Sequence, residues 1–209
     1  MIPVRVLAVR YLANAEELGK ALGAPEGYPA LGMLTTDCDD ATYIALDAAT
    51  KAAEVEVVYG RSFYAGAANA STPNAGEVIG ILAAQTPGAV RSGMEAALSE
   101  LHRVGFEETH KVPYLAHTVS SVGTFLSKEA GVPVGSALAY LIAPPLEGMY
   151  AMDAAMKAAD VKLCKLYAPP SETNFGGGLL SGTQSACDAA CAAFASAVAE
   201  AAERPVEHG

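Results

Sequence analysis

The sequence predicts an α/β protein of the α+β, ferredoxin-like sandwich type, built from two tandem copies of one domain. The chain has 209 residues, a length that fits one large domain or two small ones. A duplication favours two: the segment Asp47–Val55 recurs as Asp153–Val161, 106 residues later, with seven of nine positions identical. This period is too long for a solenoid repeat and fits two copies of a compact domain.

A second internal match lies upstream of the first, in the same order. Gly23-Ala-Pro-Glu-Gly27 precedes the pair Ala30-Leu31, and Gly131-Val-Pro-Val-Gly135 precedes the equivalent pair Ala137-Leu138. The two predicted domains are therefore residues 1–104 and 105–209.

The first half alternates strands and helices in the order strand, helix, strand, helix, strand, strand, helix. Apolar alternation and short apolar runs mark the strands, longer helical periodicity marks the helices, and a proline opens the last helix. The predicted strands are Val4–Val9, Ala30–Thr36, Val55–Tyr59 and Val78–Ala83, and the predicted helices are Ala13–Leu22, Asp40–Ala53 and Pro87–Leu101.

The second half repeats this order. Its strand candidates are Tyr114–Val119, Ala137–Ile142, Val161–Leu166 and Leu179–Gly182, and its helices lie near Phe125 and at Met149–Ala159 and Gln184–Ala202. Both halves are thus predicted to be α/β sandwiches.

Composition narrows the class of function. The net charge is −10 and no Lys/Arg cluster occurs, so a nucleic-acid surface is not expected. No run approaches the roughly 18 apolar residues that span a bilayer, and Met1 leads into the sequence without a signal-peptide pattern, so we expect a cytoplasmic protein without membrane contact. The four cysteines are expected to be reduced thiols.

Two irregular segments fall at corresponding places in the repeats: Gly66–Gly76, and Pro169–Gly178. Neither carries the spacing of a phosphate-binding loop or of a dinucleotide-binding turn. They are either ordinary surface connections or functional loops, and their occurrence at the same site in both repeats favours function.

Several stretches resemble the bacterial microcompartment shell domain: Ala30–Leu34, the helix end Lys51–Val55, and Gly76–Gly80 leading to Gly88–Gly93. Single-domain members form hexamers that tile into sheets. Here the strand Pro3–Ala8 precedes the Ala30–Leu34 strand, whereas the comparable strand comes last in the ordinary domain. The order therefore resembles the tandem, circularly permuted branch of the family.

Within that branch the chain is most similar to the ethanolamine-utilisation L-type (EutL) family. The resemblance lies in Asp39–Ala45, Val55–Ala67, Ala143–Glu147 and Pro169–Asn174. It implies a homotrimer of two-domain chains, a pseudohexamer that tiles among hexameric shell proteins around encapsulated enzymes. The implied partners also include small metabolites such as ethanolamine.

The resemblance also implies a small pore between the two domains of one chain. Asp39 and Glu147 would lie beside it, with Asp40, Glu77, Phe106 and Thr173 as additions, and the carboxylates would favour a small ammonium cation. The alternative for Asp37, Asp39 and Asp40 is helix capping after a strand end. No nucleophile, metal cluster or cofactor motif accompanies these carboxylates, so neither catalysis nor a cofactor is expected.

The resemblance also implies a larger, gated central pore formed by the two irregular segments, because they lie between the same two strands of each repeat, the position that lines the central pore in ordinary shell hexamers. Tyr64 and Phe175 are candidates for a plug, and glycines with flanking prolines are candidates for hinges. The residues assigned to this pore are Tyr64, Gly66, Asn69, Ser71, Thr72, Asn74, Gly76, Pro169, Ser171, Glu172, Thr173, Asn174, Phe175, Gly176 and Gly177.

The remaining candidates have simpler interpretations. Cys187 and Cys191 are four residues apart on one helix face, a spacing that suits two metal ligands, but small apolar residues surround them and favour a core role. His117 is expected to be a structural residue of a strand. Two other functions stay open: a shell protein of a different amino-alcohol or aldehyde compartment, and a small-molecule-binding regulator that forms no shell.

Overall fold

The structure is a computed structural model that describes residues 1–63, 76–169 and 174–206. It divides into two compact units. The N-terminal unit comprises Pro3–Gly105 together with Gly123–Leu126, and the C-terminal unit comprises Met1–Ile2, Phe106–Val122 and Ser127–Gly209.

The N-terminal unit contains one four-stranded antiparallel sheet. Its strands are β1 (Val6–Leu12), β2 (Ala30–Thr36), β3 (Glu56–Ser62) and β4 (Val78–Ala84), in the spatial order β1-β2-β4-β3. The helices between them are α1 (Glu16–Ala21), α2 (Asp39–Ala52) and α3 (Pro87–Leu101). Helices α2 and α3 pack against each other and against β2, β3 and β4, which encloses a core that includes Leu34, Leu46, Leu82 and Met94.

The C-terminal unit repeats this arrangement and adds one strand. Its strands are β5 (Glu107–Thr109), β6 (Val112–Val119), β7 (Ala137–Ala143), β8 (Val161–Tyr167) and β9 (Gly176–Gly182), in the order β5-β6-β7-β9-β8. Its helices are α4 (Thr124–Ala130), α5 (Pro145–Ala158) and α6 (Gln184–Glu203). The order β6-β7-β9-β8 matches β1-β2-β4-β3, as expected for duplicated domains.

Element types and order agree with the sequence prediction except for strand β5, which was not predicted, and several boundaries differ. Strand β1 runs from Val6 to Leu12 instead of Val4–Val9, α1 is shorter than Ala13–Leu22, and α5 begins at Pro145 instead of Met149. Strand β9 begins at Gly176, three residues before the predicted start. In the described part of the chain, no helix combines the length and apolarity needed to cross a membrane.

Candidate functional site

The turn between β2 and α2 brings the first candidate carboxylates into place. The buried hydroxyls of Thr36 and Thr42 lie 2.7 Å apart, and each is within 2.9 Å of the Cys38 carbonyl oxygen. The Cys38 N–H also donates to Thr36 Oγ1 at 3.1 Å. This network fixes the start of α2 and places Asp39 and Asp40, both buried, in its first turn, where negative charge complements the helix dipole.

Asp39 is held by both of its carboxylate oxygens. Oδ1 accepts the N–H of Asp40 at 2.9 Å, so the carboxylate satisfies one of the amides at the helix start. Oδ2 accepts the hydroxyl of Ser62 at 2.6 Å. Since Ser62 has a single proton and gives it to Asp39, the Tyr43 hydroxyl is the donor in the 2.5 Å contact between Tyr43 and Ser62. Helix capping and a fixed site carboxylate are therefore compatible roles for Asp39.

Glu77 lies at the start of β4, beside the same turn. Its N–H donates to the Thr36 carbonyl at 2.8 Å, and its own carbonyl accepts the N–H of Phe63 at 2.9 Å. Desolvation raises the pKa of the Glu77 carboxyl, and the negative charges of Asp39 and Asp37 raise it further. Of these neighbours, Asp37 is paired with Arg5, whose Nε lies 3.3 Å from its carboxylate. The N-terminal unit thus gathers acidic groups at this one corner.

Cys38 adds a thiol to this corner. Burial raises the pKa of Cys38 well above its ordinary value, and the charges of Asp40, Asp39 and Glu77 act in the same direction. The side chain therefore stays a neutral thiol near neutral pH, which is the opposite of the environment that activates a cysteine nucleophile.

The C-terminal unit holds the other described small-pore candidates. Phe106 packs against Phe175, with ring centroids 5.7 Å apart. Glu147 lies in the first turn of α5. Its neighbour Gly148 approaches the start of β9 so closely that a Cβ there would lie 2.7 Å from the carbonyl oxygen of Gly176. Phe175, assigned by sequence to the central pore, thus contacts a residue assigned to the small pore.

Part of the predicted central pore lies outside the described residues. This applies to Tyr64, Gly66, Asn69, Ser71, Thr72, Asn74, Ser171, Glu172 and Thr173. Of the remainder, Asn174 is exposed with a φ of 65°, a left-handed conformation that Asn tolerates, and Pro169 is half-buried.

The glycines that border these segments have packing reasons to be glycine. A Cβ on Gly76 would lie 2.0 Å from the carbonyl oxygen of Thr36. Gly177 has a φ of +153°, and a Cβ there would lie 1.9 Å from the carbonyl oxygen of Leu141. Gly176 and Gly177 are paired residues of β9, opposite Ala143 and Ile142 of β7. A hinge at these two positions stays a prediction. Because both residues are hydrogen-bonded within a buried strand, the strand pairing limits how far the backbone there can rotate.

The sequence and fold have close counterparts among known proteins. The BMC domain family matches residues 30–114. The bacterial microcompartment shell protein EutL of Clostridium perfringens is 56% identical over 211 residues, covering 99% of this chain and 97% of that protein. EutL of Salmonella typhimurium is 45% identical, covering 99% and 97%. The crystal structure of the ethanolamine utilization protein EutL from Leptotrichia buccalis superimposes with a TM-score of 0.94 at 55% identity, covering 99% and 98%.

The chain belongs to the EutL family of bacterial microcompartment shell proteins. It is therefore a structural shell component. The resemblance drawn from short segments, including Asp39–Ala45 and Val55–Ala67, is confirmed over nearly the whole length of the chain.

The cysteine pair of this EutL-family chain has a packing role. Cys187 and Cys191 are buried on the inner face of α6, within the core that also contains Phe194 and Leu180. The Cys191 thiol contacts the Thr118 hydroxyl at 3.4 Å, and burial raises its pKa to about 11. Among the described residues, no group of three or more His, Cys, Asp or Glu side chains is arranged to hold a metal ion.

Sequence reasoning missed the partners that orient Asp39, and it missed the role of Asp47. Ser62 and Tyr43 lie 23 and 19 residues from their partners, so no local motif connects them. Asp47 is fully buried, with its carboxylate bonded to backbone amides of residues 123 and 126. The duplicated segment Asp47–Val55 could have indicated this role, because Asp47 is a charged residue next to alanines that suit a buried helix face.

Proposed function

We propose that this chain forms a homotrimeric, pseudohexameric tile in the shell of a microcompartment that processes ethanolamine. The observation that carries the proposal is the full-length similarity to EutL proteins, one of which is described as an ethanolamine utilization protein. The duplication supports the trimer, because three chains with domains at 1–104 and 105–209 supply the six domains of a closed ring. The tile lies among hexameric shell proteins and encloses the enzymes that carry out the chemistry, while the chain itself has no catalytic role.

Sedimentation equilibrium tests the trimer. A single species of three times the 21.3 kDa chain mass is expected at micromolar concentration. Electron microscopy of the chain mixed with a hexameric shell protein then tests the tile, since mixed sheets are expected. A stable monomer or dimer would contradict the proposal.

The small pore of this tile selects cations through the carboxylates of Asp39 and Glu147. Support comes from the corner around α2, where Asp39 is fixed by Ser62 and by a backbone amide. The raised pKa of Glu77 supports a negative electrostatic potential at this corner, because the negative charges of Asp39 and Asp37 contribute to the rise in that pKa. An ammonium group such as that of ethanolamine gains charge-assisted hydrogen bonds in such a place.

Calorimetry with ethanolamine tests this selectivity. Weak binding is expected for the wild type, and Asp39→Asn combined with Glu147→Gln should weaken it at least tenfold, while Asp188→Asn, on the exposed side of α6, should not. Equal affinities in all three proteins would remove the cation site and leave the tile in place.

The central pore is formed by the irregular segments Gly66–Gly76 and Pro169–Gly178, three of each around the threefold axis. They connect β3 to β4 and β8 to β9, the equivalent strands of the two repeats. Hydrogen exchange tests the gate: both segments should exchange at least tenfold faster than β4 and β9 in the assembled trimer. Protection equal to that of these strands would indicate a rigid plug.

A further inference from the structure

Two helices whose C-terminal halves are nearly identical in sequence lie in opposite environments. The shared segment puts Asp47 in α2 and Asp153 in α5 at the same position. The Asp47 side chain is 0% exposed, whereas that of Asp153 is 59% exposed. Leu146 and Tyr150, seven and three residues before Asp153, are also exposed, so α5 presents an apolar face with a carboxylate in it.

The N-terminal unit shows what covers the corresponding face of α2. Asp47 Oδ2 accepts the N–H of Gly123 at 2.7 Å, and Oδ1 accepts the N–H of Leu126 at 2.9 Å. One turn further along α2, Thr50 Oγ1 accepts the N–H of Thr124 at 3.0 Å. These contacts bury Leu126 completely.

The first repeat contains the counterpart of this covering segment. Gly23 and Gly131 both have positive φ, and the bonds Ala24 N–H to Gly19 O and Val132 N–H to Ser127 O close equivalent turns. Counting back from these turns aligns Leu18 with Leu126 and Glu16 with Thr124. Leu18 is 45% exposed, where its counterpart is 0% exposed.

Each chain therefore contains one complete contact and the two separate halves of a second. The halves are the segment Glu16–Leu18 in the N-terminal unit and the α5 face around Asp153 in the C-terminal unit. A contact between unlike surfaces of identical chains is heterologous, and it leaves no half open only when the chains close into a ring.

We propose that the α5 face around Asp153 binds the Glu16–Leu18 segment of a second copy of this chain. The Asp153 carboxylate accepts the N–H of the neighbour's Leu18, and the Leu18 side chain becomes buried against Leu146 and Tyr150. The residue that aligns with Gly123 is Ala15, whose N–H already donates to the Pro29 carbonyl oxygen at 2.7 Å, so Asp153 makes one backbone bond where Asp47 makes two. Its ion pair with Lys157 matches that of Asp47 with Lys51. This inference rests on the proposed trimer and specifies its subunit contact.

A disulfide across the contact tests the proposal. Glu16 and Met156 are the counterparts of Thr124 and Thr50, whose N and Oγ1 atoms are 3.0 Å apart, a separation that places cysteines at these positions within bridging reach. The double variant Glu16→Cys with Met156→Cys should give disulfide-linked dimers and trimers on a non-reducing gel after mild copper-catalysed air oxidation. Each single variant, and the control pair Glu16→Cys with Asp188→Cys, should remain monomeric on the gel.

The outcomes separate this contact from the proposed function. If the wild type does not sediment as a trimer, both proposals are wrong. If the wild type is a trimer and the double variant gives no linked species, this contact is wrong and the trimeric tile stands. Leu18→Lys gives a second readout: subunit exchange should become at least tenfold faster than in the control Val206→Lys, which changes another exposed apolar residue. Equal exchange rates would also overturn the contact.

Discussion

Replacing Asp47 with alanine should destabilise the N-terminal unit more than any exposed Asp→Ala change. The carboxylate is fully buried and is the acceptor for the amides of Gly123 and Leu126. Alanine removes the carboxylate acceptor and leaves both N–H groups buried without a partner. The space left by one carboxylate is too small for two water molecules to replace both hydrogen bonds.

The size of the effect follows from these contacts. Losing a hydrogen bond to a charged group costs about 1.5–3 kcal/mol, so two such bonds give about 3–6 kcal/mol. The ion pair with Lys51 adds little, because the lysine side chain is 37% exposed. Since domains are stable by about 5–15 kcal/mol, the loss is a large share of the total free energy of unfolding. Asp47→Asn keeps one acceptor oxygen and should cost about 2–3 kcal/mol.

Urea unfolding followed by circular dichroism measures this loss, at one fixed protein concentration because assembly contributes to stability. Asp188→Ala is the matched control and should lie within about 0.5 kcal/mol of the wild type. Hydrogen exchange gives a local readout, since the amides of Gly123 and Leu126 should lose protection in Asp47→Ala. A variant within 1 kcal/mol of the wild type, with both amides still protected, would refute the reasoning.

Three further outcomes are expected. Because the pKa of Glu77 is raised, its ionisation opposes folding once the pH exceeds the ordinary glutamate pKa of 4.5. Glu77→Gln should therefore raise the urea midpoint at pH 7, and the gain should vanish below pH 4.5. Gly177→Ala should lower the free energy of unfolding by roughly 2–3 kcal/mol or more, and the melting temperature with it, because of the φ of +153° and a backbone clash. Gly88→Ala, in open space near a helix start, should be neutral or slightly stabilising. With a thiol reagent at pH 8, Cys164 should react first, and the other three thiols should react only on unfolding. Burial raises the pKa of Cys38 and Cys191 most strongly, and the Cys187 side chain is fully buried.

The long elements could be predicted because their sequence patterns are regular. Strand β2 and helix α3 match the predicted boundaries. Because the two halves are duplicated, the order of strands and helices in the first half predicted the order in the second. Strand β5 was missed because it is short and polar, and because its hairpin turns through His110 and Lys111, both with positive φ, instead of the usual Asn or Gly. The start of α5 was placed too late, although Pro145 in its first turn is a typical helix-start signal.

The candidate site could be predicted only where the family resemblance named it. Asp39 and Glu77 were identified in this way, and both lie at the acidic corner of the N-terminal unit. The groups that fix Asp39 could not be found, because Ser62 approaches from a strand that the chain reaches only after the whole of α2. Contacts between residues so far apart depend on strand order, and strand order is a property of the folded sheet.

The duplicated segment supplies a physical reason for two copies of one aspartate. On an exposed helix, an Asp–Lys pair four residues apart contributes only about 0.3–0.5 kcal/mol, so the 2.6 Å pair of Asp153 and Lys157 gives little reason to keep the whole segment alike in both halves. In the N-terminal unit the same aspartate anchors a chain segment through buried backbone amides. If Asp153 anchors the equivalent segment of a neighbouring chain, both copies perform one task, and a ring of three chains contains six equivalent junctions, of which three lie within chains and three between them.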